Sequence, residues 1–328
     1  MHVLIIGAAG MVGRKLTQRL VLEGELNGTP ISALTLVDVV KPDAPAEFSG
    51  RIITRECDFS APGEADVLIG SRPDVIFHLA AIVSGEAELD FDKGYGINLD
   101  GTRYLFDAIR VANQNEGYFP RVVFTSSIAV VGAPLPFPIP DDYHLTPLTS
   151  YGTQKAMSEL LLADYSRRGF FDGIGIRLPT VCIRPGKPNK AASGFFSSIL
   201  REPLVGQEAV LPVPDDVRHW HTSPRSAVGF LLHATVLDLS KLGWRRSLAM
   251  PGVSATVGEQ IEALRRVAGE DAVKLIRREP DEMIMKMVAG WAAGFEAKRA
   301  TELGFTSEKN FEEIIQVHIQ DELDAKTT

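Results

Sequence analysis

Tyr151 and Lys155 stand four residues apart, in Tyr-Gly-Thr-Gln-Lys, downstream of the pair Ser126-Ser127. On a helix, such positions share one face, a turn from each other. An ammonium that close to a phenol favours the phenolate, so the tyrosine can act as a base well below its free pKa. A serine hydroxyl delivered from another element could hold the substrate oxygen whose proton the tyrosine takes. Tyr-x-x-x-Lys also arises often by chance, as an exposed tyrosine and a solvated lysine. Its meaning therefore rests on the elements that present it.

The chain opens on His-Val-Leu-Ile-Ile (2–6), an apolar run suited to the middle of a parallel sheet. It leads into Gly7-Ala-Ala-Gly10-Met11-Val12-Gly13, and a helical pattern follows through Leu22. Strand, glycine-rich turn and helix form the context in which such glycines bind a dinucleotide. Gly7 permits the tight turn. Gly10 lets backbone approach a pyrophosphate on the helix N-terminus, and Gly13 allows close helix–strand packing. The plainer alternative is a βα turn with packing glycines. Asp38 ends the second expected strand (33–40), 25 residues after Gly13, where this fold places the acid that binds the adenosine ribose hydroxyls. A carboxylate there repels a 2′-phosphate, which favours NAD over NADP. Asp58, after a third strand at 52–56, is placed to reach the adenine edge or simply to turn the chain.

A fourth strand, from Val75, ends in the small residues Ala80 and Ala81, over which a cofactor could pass. His78, on that buried strand, reads as a packed, hydrogen-bonded histidine without chemistry. Ser84 lies just past the strand end, on the ligand side of an open sheet, where it could touch a ligand or only turn the chain. Residues 86–115 read as largely helical. A fifth strand (121–125) delivers Ser126 and Ser127. Residues 133–147 hold five prolines and must be loop. The helix of Tyr151 and Lys155 runs to about Arg168, and a sixth strand at 174–178 leads into Pro179-Thr-Val181.

Uninterrupted strand–helix alternation over residues 1–180 implies an α/β fold of Rossmann type: a doubly wound parallel sheet with right-handed crossovers. The expected division is a dinucleotide-binding domain at 1–182 and a smaller, mixed α/β substrate region at 183–328, some of whose segments return to the core. Met283-Ile-Met-Lys-Met287 reads as a core stripe.

Composition excludes several classes. The net charge of −8, with no basic block, argues against a nucleic-acid surface. The two cysteines, Cys57 and Cys182, are far apart and make no zinc or redox motif, so no metal site is expected. No apolar run approaches a membrane span, and the N-terminus lacks a basic, signal-like region, so a cytoplasmic location is expected.

Taken in order, Gly7-x-x-Gly10-x-x-Gly13, Asp38, His78-Leu-Ala-Ala81, Asn98-x-x-Gly-Thr102, Ser126-Ser127-x-x-Val-x-Gly132 and Tyr151-x-x-x-Lys155 resemble the extended short-chain dehydrogenase/reductase family. The resemblance spans nearly the whole chain and implies a role for each matching position. Tyr151 matches the catalytic base and Ser127 the catalytic hydroxyl. Lys155 matches the lysine that holds the nicotinamide ribose and lowers the tyrosine pKa. Ser126 matches a residue lining the nicotinamide pocket, Asn98 a helix-kink residue supporting the lysine, and Pro179 to Val181 the segment against the nicotinamide. Met11, Val12 and Leu79 join the cofactor-binding set. The resemblance also implies a homodimer, paired through the helices near 90–115 and 150–168.

One departure bears on the substrate. Many sugar-nucleotide enzymes of this family carry an acidic pair where this chain reads Pro224-Arg225, in Arg218-His-Trp-His-Thr-Ser-Pro-Arg225. A more cationic pocket suits a carboxylate better than a neutral pyranose. The expected activity is NAD-dependent oxidation of the C2 hydroxyl of a small sugar acid, with Tyr151 as base. The carboxylate would meet Arg184 or Arg218, with Arg225 a third candidate, unless these arginines pair with surface acids. A nucleotide-sugar epimerase or dehydratase that keeps its NAD, and a non-enzymatic NAD-binding redox sensor, are the competing expectations.

Overall fold

The computed structural model describes residues 1–186 and 193–324. The chain divides into two compact units, one of Met1–Ser127, Thr149–Arg177 and Val228–Leu248, the other of Ile128–Leu148, Leu178–Ala227 and Ala249–Thr328.

The first unit is built on a seven-stranded sheet. Its strands are β1 (His2–Ile6), β2 (Ala33–Asp38), β3 (Arg51–Glu56), β4 (Val75–His78), β5 (Arg121–Ser127), β6 (Asp172–Leu178) and β7 (Ser247–Ala249), in the order β3-β2-β1-β4-β5-β6-β7. β1 pairs in parallel with β2 and β4, β2 with β3, and β4 with β5. The strand order reverses between β1 and β4, and ligands of open α/β sheets bind beyond the carboxyl ends at such a switch point. The Gly7 turn follows β1, and Leu79 to Ala81 follow β4.

Long helices cover the sheet: α1 (Met11–Glu23), α2 (Thr102–Glu116) and α3 (Ser150–Arg167). α1 buries Leu16 and Leu20, and α2 buries Leu105, Phe106 and Ile109, as apolar spacing of three and four residues dictates. α3 differs, because its buried face carries Gln154, Lys155, Ser158 and Glu159. Burying such groups is costly unless each finds a partner, so α3 is shaped by something other than packing alone.

Residues 86–115 are not one helix. They divide into Ser84–Leu89, Phe91–Gly94, a π-turn at Tyr95–Gly101 and α2. Asp90 starts the second segment by accepting from the Lys93 amide at 3.1 Å. Gly101 packs on Phe59 and Ser60, which a Cβ would approach within 3.0 Å. A hairpin of Glu25–Leu26 and Thr29–Pro30 also precedes β2, turning at Asn27-Gly28, both with positive φ.

The second unit has two small sheets. Arg218–Thr222 lies between Thr180–Val181, parallel, and Val253–Thr256, antiparallel. Ala209–Leu211 pairs in parallel with Ile276–Arg278. Its core gathers Phe196, Ile199, Leu211, Val257, Leu264, Phe311 and Ile315. The helix Val257–Ala268 begins with a capping box of Thr256 and Glu259. The methionine stripe is not core throughout: Met283 is 74% and Met287 38% exposed, while Ile284 and Met285 pack on the core. The helix spans only Glu282–Val288, too short to bury a whole face.

Candidate active site

The glycine turn separates what the fold needs from what a ligand needs. Gly7 has φ +96°, and a Cβ there would lie 2.6 Å from the Ala80 nitrogen. A Cβ on Gly13 would lie 2.2 Å from the Gly7 oxygen. Gly10 sits in ordinary extended backbone, φ −67° and ψ 162°, as the N-cap of α1. A Cβ there would meet the Gly7 oxygen at 3.4 Å and nothing else within 4 Å. The protein therefore does not require glycine at position 10. The open space above it, at a helix N-terminus whose first amides lack intrahelical partners, fits a pyrophosphate. Met11 and Val12, both half-buried, make up the first turn beneath that space.

Asp38 closes the turn from β2, accepting from the Ala9 amide at 2.9 Å through one carboxylate oxygen. Its other oxygen accepts from the Val40 amide at 3.4 Å. Asp58 is exposed and accepts from the Ser60 amide and hydroxyl at 3.0 and 2.6 Å, as a turn-former does. Leu79 and Ala80 donate to the Ile6 carbonyl at 2.8 and 2.9 Å, which holds the end of β4 beside the turn. Ala81 and Ser84 are half-buried just beyond, Ser84 opening the segment Ser84–Leu89.

Asn98 occupies the π-turn, almost fully buried. Its amide accepts from the Ile82 N–H at 3.0 Å, and donates to the Ile82 carbonyl at 3.2 Å and to Gln154 Oε1 at 2.8 Å. It thus ties the segment after β4 to α3 at the residue before Lys155. Thr149 caps α3, accepting from the Gly152 amide at 3.1 Å, and so fixes the turn that carries Tyr151.

Lys155 is 2% exposed. Its Nζ donates to the Thr125 carbonyl at 2.8 Å and lies 4.7 Å from the Phe124 ring centre and 5.9 Å from that of Tyr151. Burial lowers its pKa from 10.5 to about 7, against the opposing pull of the Glu159 carboxylate. Ser127 is the last residue of β5, and Tyr151 the second of α3; both are half-buried. The three sequence-derived catalytic positions are therefore brought into one unit, at the carboxyl end of β5 and the start of α3. Ser126 is turned the other way: it is buried and donates to Glu159 at 2.5 Å. His78 is buried, bonded to the Thr102 hydroxyl at 2.8 Å, and burial lowers its pKa to about 3, so the ring is neutral.

The remaining expected residues lie in the second unit. Pro179 and Val181 are buried there. Arg184 is half-buried and donates to the Val181 carbonyl and the Ser193 hydroxyl, each at 3.0 Å. Arg218 pairs with Glu259 at 3.1 Å and donates to the Ser254 carbonyl at 3.2 Å. Arg225 pairs with Asp321. Among the described residues, no cluster of three or more His, Cys, Asp or Glu could hold a metal, and no helix is long and apolar enough to cross a membrane.

Sequence reasoning passed over Glu159 and Arg177, a buried ion pair whose closest approach is 2.7 Å. It also passed over His219 and His221, buried with ring centres 5.2 Å apart. Glu159 had a readable signal, since it stands at i+4 from Lys155 on the same helix face.

Comparison with known proteins adds a second line. The profile of the NAD dependent epimerase/dehydratase family matches residues 3–221. D-erythronate dehydrogenase of Cupriavidus necator is 46% identical over 325 residues, covering 98% of each chain. D-erythronate dehydrogenase of Haemophilus influenzae is 44% identical, covering 98% of this chain and 99% of its own. The crystal structure of a nucleoside-diphosphate-sugar epimerase from Agrobacterium tumefaciens superposes with a TM-score of 0.97 at 77% identity, covering 99% of this chain and 95% of that one.

Proposed function

The chain belongs to the NAD dependent epimerase/dehydratase family, and from that premise we propose that it is an NAD-dependent dehydrogenase that oxidises the C2 hydroxyl of D-erythronate to 2-dehydro-D-erythronate. One observation carries the reading: two relatives named D-erythronate dehydrogenase are 46% and 44% identical to this chain over nearly its whole length.

Tyr151, as phenolate, accepts the proton of the C2 hydroxyl, and Ser127 holds that oxygen as charge develops on it. Lys155 keeps the phenolate available and faces the cofactor ribose. NAD, when bound, supplies the hydride acceptor, so the C2–H bond breaks as the carbonyl forms. The open Gly10 position and the carboxylate of Asp38 support that cofactor. Met11, Val12, Gly7, Gly13, Leu79, Ala80, Ala81, Asn98, Pro179, Val181 and the backbone of Ser126, whose hydroxyl is held by Glu159, remain its proposed surroundings, with Asp58 at the adenine. The carboxylate of the substrate needs a planar cation. Arg184 and Arg218 are the proposed cations for it, with Arg225 a third. Ser84 is proposed to meet a substrate hydroxyl.

The A. tumefaciens protein, by its name, favours a second reading, epimerisation of a nucleotide sugar with NAD retained. The two readings separate in one assay. Purified protein with NAD and D-erythronate should accumulate reduced nicotinamide in step with product; an epimerase releases none. A panel of nucleotide sugars turned over without that accumulation would overturn the dehydrogenase reading.

A cytoplasmic homodimer completes the proposal. Its support is the free thiols of Cys57 and Cys182, and the exposed Val111 and Leu160 on α2 and α3. Light scattering tests the dimer.

A further inference from the structure

Two consecutive residues of β5 are held from α3. Lys155 Nζ bonds the Thr125 carbonyl at 2.8 Å, and Glu159 accepts from the Ser126 hydroxyl at 2.5 Å. The next residue of the strand is Ser127. Glu159 is itself clamped from β6, where Arg177 donates to its two carboxylate oxygens at 2.9 and 2.7 Å. The side chains of Glu159 and Arg177 are only 4% and 14% exposed. A carboxylate this enclosed, with a bidentate guanidinium partner, has one geometry rather than many.

We propose that Glu159 is a positioning residue for the catalytic set: through Ser126 it fixes the strand end that presents Ser127, and it supplies the negative charge facing Lys155. The inference rests on the dehydrogenase reading above and names a part of it that the Tyr–Lys–Ser spacing does not contain. Glu159 acts through Ser126 and Lys155 and touches neither substrate nor cofactor.

The charge arm follows from the groups around Lys155. On α3 these are Tyr151 and Glu159. From β4 comes His78, neutral because burial lowers its pKa to about 3. From β6 comes Arg177, whose charge is matched by its pairing with Glu159. Glu159 is the anion that opposes the desolvation of Lys155. Neutralising it removes the charge that opposes that desolvation, so Lys155 loses its proton at lower pH. A neutral lysine no longer favours the Tyr151 phenolate, and the acid limb of kcat/KM moves to higher pH.

Two variants separate the arms. Glu159→Gln removes the charge at nearly constant shape. Ser126→Ala removes the strap to β5 and leaves the Glu159–Arg177 pair in place. The readouts are kcat, the pH profile of kcat/KM, the NAD dissociation constant, and an ultraviolet tyrosinate titration of the NAD-free protein with that of Tyr151→Phe subtracted.

Glu159→Gln should move both the acid limb and the tyrosinate titration up by about one pH unit, with NAD affinity within about threefold. Ser126→Ala should lower kcat about tenfold with the limb unmoved. A folded Glu159→Gln with unmoved limb and titration overturns the charge arm. If that variant does not fold, Ser126→Ala decides, and wild-type kcat in it overturns the proposal. Failure of the underlying reading looks different: the wild-type protein with NAD and D-erythronate would then accumulate no reduced nicotinamide, whatever Glu159→Gln does.

Discussion

Lys155 donates from Nζ to the backbone oxygen of Thr125 at 2.8 Å, two residues before Ser127 on the same strand. One ammonium thus anchors β5 and faces Tyr151 on its own helix. The arrangement costs stability, because burial lowers the Lys155 pKa from 10.5 to about 7. Between those values the unfolded chain holds a proton that the folded chain has released. Stability from this group therefore rises with pH across that window and is lowest below about pH 7. A shift of that size is worth on the order of 5 kcal/mol, from which about 2 is lost when Thr125 is left without a donor. Lys155→Met should stabilise the NAD-free protein by about 3 kcal/mol at pH 6 and destabilise it by about 1 kcal/mol near pH 10, as read from denaturant midpoints. It should also abolish turnover.

The glycine turn gives a contrast between neighbours. Gly13→Ala places a Cβ 2.2 Å from the Gly7 oxygen, so backbone must shift. A loss of at least about 2 kcal/mol in stability is expected. Gly10→Ala meets nothing closer than 3.4 Å, in a conformation that alanine adopts freely. Its stability should stay within about 0.5 kcal/mol of wild type. Its NAD affinity, measured by calorimetry, should fall about tenfold or more.

Asp38 carries a fold role and a proposed ligand role on one carboxylate. Asp38→Asn keeps an oxygen for the Ala9 amide and discards the charge. The ratio of kcat/KM for NAD over NADP should fall about tenfold or more, because the repulsion of a 2′-phosphate is gone. An unchanged ratio would remove Asp38 from the choice of cofactor.

Acid stability should be set largely by the buried histidines, His78 of the first unit and His219 and His221 of the second. His219 bonds Thr180 Oγ1 at 2.7 Å, and His221 lies 3.1 Å from Gln260 Nε2. Burial lowers the His219 pKa from 6.5 to about 4 and that of His221 well below 6.5. The folded rings stay neutral where the unfolded chain takes up protons. Their stability is full above about pH 6.5 and falls as pH drops toward 4. The denaturant midpoint should fall across that range, and His221→Gln should flatten the fall.

Much of this architecture is legible in the chain, and the limits have physical causes. Strands β1 to β6 are apolar runs in a repeating context, so their places follow from periodicity, with ends off by up to three residues. The Asn27-Gly28 hairpin carries a plain turn signal, but its strands of two residues each are too short to show a period. The break at 90–101 was hidden because it depends on an aspartate cap and a π-turn, neither of which alters the run of helix-formers. Arg218–Thr222 escaped notice as a strand because His219 and His221 interrupt its apolar pattern. Ser127, Tyr151 and Lys155 are proposed from their spacing, and the fold brings the three positions into one unit. Glu159 and Arg177 form a pair across two elements, and a partner 18 residues away in sequence announces itself only in three dimensions.

The most direct measurement follows one atom. D-erythronate deuterated at C2 is incubated with the protein and NAD, and the reduced nicotinamide is recovered and weighed by mass spectrometry. Direct transfer predicts one deuterium in the reduced nicotinamide for each molecule of 2-dehydro-D-erythronate, and none with Tyr151→Phe, which should give no turnover while still binding NAD. Reduced nicotinamide free of deuterium, or no reduction at all while a nucleotide sugar is epimerised, would contradict it.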